Sequence, residues 1–458
     1  MSETLTVSLG KQIAADKKRA IVFLTWVVIA VTSVPFERTQ DDEVIYFLEA
    51  RHMLAIGPVA HLDLVFVPQI LGAIASEVYN SLLAARAVSA LAVLATAIVI
   101  YNIKKDDATF ISAMLYLTSF YTIRFGLRFY LDPYGGLFTI LAIYFLYKEK
   151  SHLVGISSAL AVFSRELAAP LFPIYAVLVY RRKMSLGKFL LGFAATAVLG
   201  VFWIYLATRG IQSAIVVNLS EVTSTSSFGF NSLYAVAKVW IQYALIGPLV
   251  VVGILCAKGG KGRPEFYPMV FSFLILCLVP GFIQYGAGTE YPYIFNTTAC
   301  LVAGVGLKIA YEKLKPKSTA IVKVAVVVLV VQFAAQSYLS TALTVNHTIG
   351  IQDYGYWYDQ ELISYMNNHY NGGTIYSSTL VLRLNQALEP SVVWNEQPIT
   401  LSIVNDPPWL VTYSSYIIVK SIPTNTTIVT IGPYTVIHRG DIPLSSFIEL
   451  NNATQFFG

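Results

Sequence analysis

The chain has 458 residues, of which 56% are hydrophobic and only 12% are charged, and its formal net charge is +5. A soluble domain carries about 25% charged residues, so this chain has too few charges to cover a surface that faces water. With a mean hydropathy of +0.62, the composition indicates a polytopic membrane protein. It excludes an ordinary soluble enzyme, a nucleic-acid binder and a disordered chain.

Apolar runs long enough to cross a bilayer extend from near the N-terminus to about residue 343. A span needs about 17–25 apolar residues, and the sequence predicts about eleven α-helical spans. They cover residues 20–36, 84–102, 108–123, 132–147, 151–164, 166–180, 187–208, 234–257, 266–285, 293–311 and 320–343. The apolar segment 63–79 is not counted, because it contains Pro68 and Glu77, and we expect it to form a helix at the outer interface.

The basic residues give the orientation of these spans. With the N-terminus in the cytoplasm, most of the 31 lysines and arginines fall in inner loops, as the positive-inside rule requires. The inner loops use mainly lysine, such as Lys104 and Lys105, whereas the outer segments carry almost only arginine. Arginine binds phosphate in a bidentate manner better than lysine does. A site on the outer face that handles phosphate would explain this bias.

The first external loop, residues 37–83, contains three consecutive acids near its start: Asp41, Asp42 and Glu43. A helix that begins at Asp42 places this carboxylate at the positive end of the helix dipole. Four residues would then share one face: Asp42, Tyr46, Glu49 and Met53. These acids would bind a cation, act as a base or receive sugar hydroxyls, while the alternative is a capped interfacial helix with a solvated charge run. Arg51 points the other way and is predicted to anchor to lipid headgroups or to the rest of the loop.

Further ionisable residues lie at the predicted outer ends of several spans. They are Arg86, Arg124, Arg128, Asp132, Arg165 and Glu166. Ionisable groups at membrane depth mark functional sites by default. The alternatives are a local salt bridge between Arg128 and Asp132, four residues apart, and a snorkelling pair at Arg165 and Glu166.

The character of the chain changes near residue 346. Five β-like runs are predicted, at 374–378, 399–404, 416–421, 427–431 and 434–438, with a helix at 358–369. We therefore predict two domains, a membrane domain over residues 1–344 and a small α/β domain over 345–458, which lies outside the cell after eleven spans. Asn-x-Thr/Ser sequons fall in the external segments, and Asn296-Thr-Thr lies at an outer boundary.

The pattern Asp42-Glu43-x-x-Tyr46, followed by Arg51-x-Met53-Leu54, resembles the first-loop signature of the class C (GT-C) membrane glycosyltransferases. Within that family it is similar to the branch of protein O-mannosyltransferases and the lipid A aminoarabinose transferase. Other matching elements follow in the family's order: Val67-Pro68, Ala84-Ala85-Arg86, Arg128 with Asp132-Pro133, Phe163-Ser164-Arg165 and Tyr291-Pro292-Tyr293. The resemblance covers residues 20–180 well and the remainder in layout only.

The resemblance implies transfer of a sugar from a polyprenyl (dolichyl) phosphate to a hydroxyl of a protein or glycolipid acceptor at the outer face of the plasma membrane. The implied catalytic residues are Asp42, Glu43 and Asp132. Asp42 would be the general base of an inverting displacement, with its pKa raised by burial beside Glu43. The implied substrate-binding residues are Tyr46, Arg86, Arg124, Arg128, Arg165 and Glu166. No cofactor is firmly predicted. Binding of a divalent cation is left open as an alternative, and the resemblance implies metal independence. An archaeal plasma membrane would suit such a mannosyltransferase-like enzyme.

This sequence departs from the family at several points. Phe66-Val67-Pro68 stands where many relatives have Glu-Lys-Pro or His-Pro-Pro, Arg165 replaces a lysine, and Glu290 replaces a late arginine. These changes leave the sugar and the acceptor open, and the lack of a Trp-Trp-Asp-Tyr-Gly-like motif argues against an oligosaccharyltransferase. Two other hypotheses are a transporter or lipid flippase, which would keep its ionisable residues near the midplane, and a non-catalytic envelope scaffold.

Overall fold

The computed structural model describes residues 2–35, 39, 41–56, 66–119, 121–165, 168–208, 267–270, 293–314, 356–394, 406–414 and 417–450. The chain divides into two compact units. The helical unit comprises Met1–Val34 and Glu49–Thr341, and the C-terminal unit comprises Pro35–Leu48 and Ala342–Gly458. The predicted domain boundary after residue 344 lies outside the described residues and stays a prediction.

Long helices make up the described part of the chain before residue 315. They are α1 (Ser2–Ser33), α2 (Asp41–Ile56), α3 (Phe66–Val78), α4 (Leu82–Asn102), α5 (Asp107–Thr118), α6 (Asp132–Tyr147), α7 (Ser151–Val162), α8 (Leu171–Arg181), α9 (Leu186–Thr208) and α10 (Tyr293–Leu314). A π-helix (Thr122–Gly126) lies between α5 and α6. Of these, α2 begins in the C-terminal unit, which takes residues up to Leu48.

The predicted spans that fall largely on described residues coincide with these helices, and α3 confirms a helix within 63–79. The spans at 234–257 and 320–343, and most of 266–285, lie outside the described residues. Two helices in the described part are long and apolar enough to cross a membrane: α4 and the segment Leu186–Trp203 of α9. The number of eleven spans and the interfacial position of α3 therefore stay predictions.

Glycines allow α7 and α9 to pack with their backbones in contact. A Cβ atom at Gly155 of α7 would overlap the carbonyl oxygen of Phe189, and one at Gly192 of α9 would overlap the carbonyl oxygen of His152. Membrane helices associate through such small residues, because lipid supplies no hydrophobic force between helices. This close approach fixes the N-terminal half of α7 against α9.

Replacing Gly192 by alanine is expected to destabilise the protein by about 1–3 kcal/mol, because the added methyl group has a backbone carbonyl rather than a flexible side chain in its way. The matched control is Gly187→Ala on the same helix, where a Cβ meets no atom within 4 Å. That control is expected to be neutral or slightly stabilising. The measurement is the free energy of unfolding in mixed micelles, and equal values for the two variants would contradict the packing described here.

The C-terminal unit contains a five-stranded mixed sheet with the order β2-β1-β3-β6-β5 and a separate antiparallel pair, β4-β7. The strands are β1 (Ile375–Ser377), β2 (Val392–Trp394), β3 (Trp409–Tyr413), β4 (Ile417–Val419), β5 (Thr427–Ile431), β6 (Tyr434–His438) and β7 (Ile448–Leu450). β1 pairs in parallel with β2 and β3, and the remaining pairs are antiparallel. Four of the predicted strands are confirmed. The fifth, 399–404, lies outside the described residues, and β2, β3 and β7 were not predicted.

Helix α11 (Tyr356–His369) covers one face of this sheet. Its Leu362 and Met366 are fully buried in one cluster with Ile375 of β1 and Val436 of β6. At the β5-β6 hairpin, Gly432 adopts a φ of +53°, the left-handed conformation that a two-residue turn beginning with glycine requires. Helix and mixed sheet together form the predicted α/β domain.

Candidate functional site

Lysine-rich segments meet at one end of the helical unit. Lys18 of α1 contacts Asp107 in the first turn of α5, and Lys308 of α10 lies 3.7 Å from Asp106, which caps the same helix. Lys104 lies over the ring of Tyr147, with its Nζ 5.1 Å from the ring centroid. The sequence places all three lysines on the inner side. The structure gathers them at the same end of the unit, as that topology requires.

The cap of α5 is an ionised carboxylate. Burial alone would raise the pKa of Asp106, but hydrogen bonds from Thr109 and the nearby charges of Lys308 and Lys104 outweigh it and lower the pKa. Because the pKa of Asp106 is lower in the folded state than in the unfolded chain, this cap stabilises the fold at pH values above the ordinary carboxyl pKa. Its contribution is lost as the pH falls through the lowered value.

The opposite end of the helical unit carries buried arginines and one aspartate. Since α4 and α6 finish at the lysine-rich end and α7 begins there, their other ends lie together at the far side of the unit. Arg86 lies in the second turn of α4, Asp132 opens α6, and Arg165 follows the end of α7. Three residues predicted from separate segments are thus placed at one end.

Asp132 and Arg165 form a buried ion pair. Arg165 Nε lies 3.2 Å from Asp132 Oδ1, and the two side chains are only 4% and 0% exposed. The carboxylate lies at the N-terminus of α6 and the guanidinium just beyond the C-terminus of α7, so each charge is at the helix end whose dipole favours it. Gly135, one turn into α6, allows Arg165 to approach this helix closely, since a Cβ there would lie 2.8 Å from Arg165 Cβ. A side chain this enclosed is not a snorkelling group, which corrects that alternative for Arg165. Glu166 lies outside the described residues.

The π-helix brings two further predicted arginines to this region. It contains Arg124, whose guanidinium lies over the Phe125 ring at 5.4 Å from the centroid. Arg128 lies two residues after its end and is 3% exposed. π-helical turns are uncommon and often occur at functional sites. Both arginines therefore lie between the end of α5 and Asp132, the first residue of α6.

Buried arginines outnumber buried carboxylates among the described residues of the helical unit. Among its described residues, four arginines (Arg51, Arg86, Arg128 and Arg165) and two carboxylates (Glu49 and Asp132) are buried. Buried charge is costly unless it is compensated. Arg86 is partly compensated through Nη1, which donates a hydrogen bond of 3.0 Å to the carbonyl of Val34. Arginine donors fixed at one end of the unit have the planar geometry that suits a phosphate or carboxylate group.

The acids of the first loop differ sharply in exposure. On α2, Asp42 is exposed and Glu43 is fully buried, with Tyr46 half-buried. The expected burial of Asp42 is therefore wrong, and the buried carboxyl of the pair is Glu43. Since α2 begins at Asp41, both acids lie in its first turn, at the positive end of the helix dipole.

The second half of α2 is held by α3. Gln69 Nε2 donates a hydrogen bond of 3.1 Å to Glu49 Oε2. Gly72 allows close contact, since a Cβ there would lie 2.8 Å from Ala50 Cβ. Arg51 is only 8% exposed, so it does not reach out to lipid headgroups, and its other predicted role, an anchor to the rest of the loop, stays a prediction.

A buried polar network, which the sequence-based analysis missed, supports the π-helix. Asn296 of α10 is fully buried, and its Nδ2 donates hydrogen bonds to Ser119 Oγ at 2.8 Å and Thr122 Oγ1 at 3.3 Å. Beside it, the hydroxyls of Tyr116 and Tyr293 are 2.6 Å apart. Asn296 therefore serves packing and is not an accessible sequon in the folded protein. The sequence signal for this network was the run of three consecutive polar residues, Asn296-Thr-Thr, inside an apolar segment.

Metal ligands do not cluster in the part of the chain that the structure describes: no group of three or more histidine, cysteine, aspartate or glutamate side chains there could hold a metal ion. The positive charge at the arginine end is provided by side chains.

No protein-family model and no curated protein matches this chain. Solved structures do. The lipid A aminoarabinose transferase ArnT from Cupriavidus metallidurans, bound to undecaprenyl phosphate, matches with a TM-score of 0.63 at 13% identity, over 91% of this chain and 96% of ArnT.

The archaeal oligosaccharyltransferase AglB from Archaeoglobus fulgidus is also similar. Its complex with an inhibitory peptide and a dolichol-phosphate matches with a TM-score of 0.53 at 12% identity, over 96% of this chain and 77% of AglB. The apo form gives a TM-score of 0.53 at 11% identity, over 87% and 69%. At identities this low the likeness establishes the fold.

Proposed function

Since the chain has the fold of the class C membrane glycosyltransferases, as the first-loop pattern predicts, we propose that it transfers a sugar from a polyprenyl (dolichyl) phosphate to an acceptor hydroxyl at the outer face of the membrane. The observation that carries this proposal is the placement of buried arginines at the same end of the helical unit as the Asp132–Arg165 pair. A polyprenyl phosphate is an anion on an apolar chain, and it matches guanidinium groups at the end of an apolar helical unit. ArnT was solved with undecaprenyl phosphate and AglB with a dolichol-phosphate.

Arg128 and Arg165 are the residues to which we assign the phosphate, with Arg86 and Arg124 in support. In the transfer, the leaving phosphate takes the electron pair of the bond to the sugar C1 atom and gains negative charge. Arginines that are fixed before the reaction stabilise this charge without reorganisation. Asp132 holds Arg165 in orientation through the ion pair at 3.2 Å.

Asp42 is the residue to which we assign the base. Its carboxylate is exposed, so an acceptor that arrives from the aqueous side can reach it. Glu43 is enclosed and fits an electrostatic or orienting role, and Tyr46 one turn along the helix fits a contact to the sugar. The acceptor oxygen attacks C1 of the sugar while Asp42 takes its proton. A single displacement of this kind inverts the configuration at C1.

The proposal includes a location. The N-terminus and the lysine-rich end would face the cytoplasm, and the arginine end and C-terminal domain would face the outside of the plasma membrane. No metal is assigned a role, since arginine can supply the charge stabilisation. An assay in excess chelator tests that assignment directly.

The first experiment measures binding and transfer. The purified chain in lipid nanodiscs is mixed with radiolabelled polyprenyl-phosphate sugars and host membranes, and binding of polyprenyl phosphate is measured in parallel. Arg128→Met is expected to weaken binding about 10–100-fold, as the loss of a charge-assisted contact does. The matched control is Arg181→Met, an exposed arginine in the last turn of α8 at the lysine-rich end, which is expected to bind normally.

Transfer of label to an acceptor supports the proposal, and the mass of the product identifies the sugar and the acceptor. Binding without transfer, together with movement of the labelled lipid between leaflets, would instead favour a flippase. Failure of every polyprenyl phosphate to bind would overturn the proposal.

A further inference from the structure

The segment that carries the proposed base is part of the C-terminal unit. Residues Pro35–Leu48 group with Ala342–Gly458 rather than with the helices that flank them in sequence. Val44 and Leu48 of α2 are buried in one cluster with Leu380, and half-buried Leu384 and Trp394 pack against it. One face of the first two turns of α2 therefore rests on the C-terminal domain.

A buried carboxylate ties the chain just before α2 to the same domain. Asp359 of α11 is 1% exposed. Its Oδ2 accepts a hydrogen bond of 3.2 Å from the backbone N–H of Thr39, and its Oδ1 accepts one of 2.7 Å from the Tyr434 hydroxyl. Thr39 is only two residues before the start of α2 at Asp41 and is itself buried.

These contacts hold α2 in two ways. The apolar cluster fixes one face of the helix, and Asp359 fixes the chain at its N-terminus, where Asp42 lies. Asp359 in turn is held by Tyr434, the first residue of strand β6 in the sheet. A buried carboxylate is costly unless it is hydrogen-bonded, so the loss of either donor weakens this arrangement. Asp42 itself remains exposed.

We propose that the C-terminal domain positions the base, and that Asp359 is the positioning residue through which it does so. This inference rests on the proposed function. Asp359 makes no contact with the reacting atoms in this account; it sets the place of the first turn of α2. A displacement of about 1 Å at a reacting group can cost about 10²-fold in rate.

The test compares three variants of the full chain in lipid. Asp359→Asn leaves one acceptor oxygen where the carboxylate offers two, so either Thr39 or Tyr434 loses its partner. Tyr434→Phe removes one hydroxyl and keeps the ring. Tyr365→Phe on the same helix α11 is the matched control, because its ring stacks on His369 and it lies six residues from Asp359 in the sequence.

We expect kcat to fall about 10²-fold in Asp359→Asn and about tenfold in Tyr434→Phe, with the KM for the lipid donor unchanged, since the arginines assigned to the phosphate belong to the helical unit. Tyr365→Phe should behave as the wild type does. Amide hydrogen exchange supplies a readout that is independent of activity: residues 39–48 should exchange faster in Asp359→Asn than in the wild type.

The outcomes separate the two proposals. If the wild type transfers sugar and Asp359→Asn leaves both kcat and exchange at 39–48 unchanged, the positioning role is overturned and the proposed function stands. A fall in kcat together with an equal rise in donor KM would also overturn it, because that pattern indicates a general structural loss. If the wild type transfers no sugar but the exchange of 39–48 still rises, the tie between Asp359 and α2 is established and the proposed function has failed.

Discussion

Replacing Asp42 by asparagine is expected to lower kcat for sugar transfer about 10²–10⁴-fold, the usual cost of losing a general base. Asparagine keeps the size of the side chain, and Asp42 is exposed, so the fold should be unchanged. The KM for the donor should also be unchanged, because Asp42 is assigned to the acceptor. The measurement is the initial rate with saturating donor.

The pH profile adds a second readout for Asp42. In the wild type, kcat/KM is expected to fall as the pH drops through the pKa of the base, since only the ionised carboxylate accepts a proton. That acid limb should be lost in Asp42→Asn. Asp41→Asn, which removes the preceding acid, is the control and should keep both rate and profile. If Asp42→Asn retains the wild-type rate while Glu43→Gln abolishes it, the base is the buried Glu43.

Removing both charges of the Asp132–Arg165 pair is expected to restore stability relative to removing Arg165 alone, but not to restore activity. Arg165→Met alone leaves a buried carboxylate without its 3.2 Å partner, and should cost about 3–5 kcal/mol of stability. The double variant Asp132→Asn/Arg165→Met replaces both charges with neutral groups of similar size. It should regain most of that stability, yet transfer should remain about 10²–10³-fold below the wild type, because the group that stabilises the leaving phosphate is gone.

Arg165→Lys is the conservative control for this pair. It keeps the positive charge, and members of the family that this sequence resembles often have lysine at this position. This variant should therefore retain measurable transfer. Unfolding in mixed micelles and initial rates would be measured on all four proteins. Recovery of full activity in the neutral double variant would show that the ion pair serves folding alone, and the phosphate would then need another partner.

Much of this architecture could be predicted from the sequence, because the length of an apolar run and the residue types in a turn are local features of the chain. The ends of α4, α6 and α9 match the predicted spans closely, and β5 and β6 match their predicted residues, since the Gly432-Pro433 turn marks the break between two alternating runs. β3 was missed for a physical reason. It is a central strand buried on both faces, so it lacks alternation, and it begins directly after Pro407-Pro408.

The site was harder to predict than the helices. The sequence offered a local salt bridge between Arg128 and Asp132 as an alternative, and it gave no sign of the ion pair that joins Asp132 to Arg165, which follows another helix. Likewise, neighbouring acids look alike in sequence, yet Asp42 is exposed and Glu43 is buried. Asp359 lies 320 residues from Thr39, and no local pattern reports a partner at that distance. Tertiary contacts decided each of these features.

The enclosure of Asn296 has a consequence for the biogenesis of the protein. Its amide is turned inward, onto Ser119 and Thr122, so a modifying enzyme can reach it only before α10 has docked against α5. A glycan at Asn296 would prevent that docking and would persist on the chain. Molecules that carry one would therefore be misassembled, and a mass shift at this asparagine would report the fraction of chains that failed to mature.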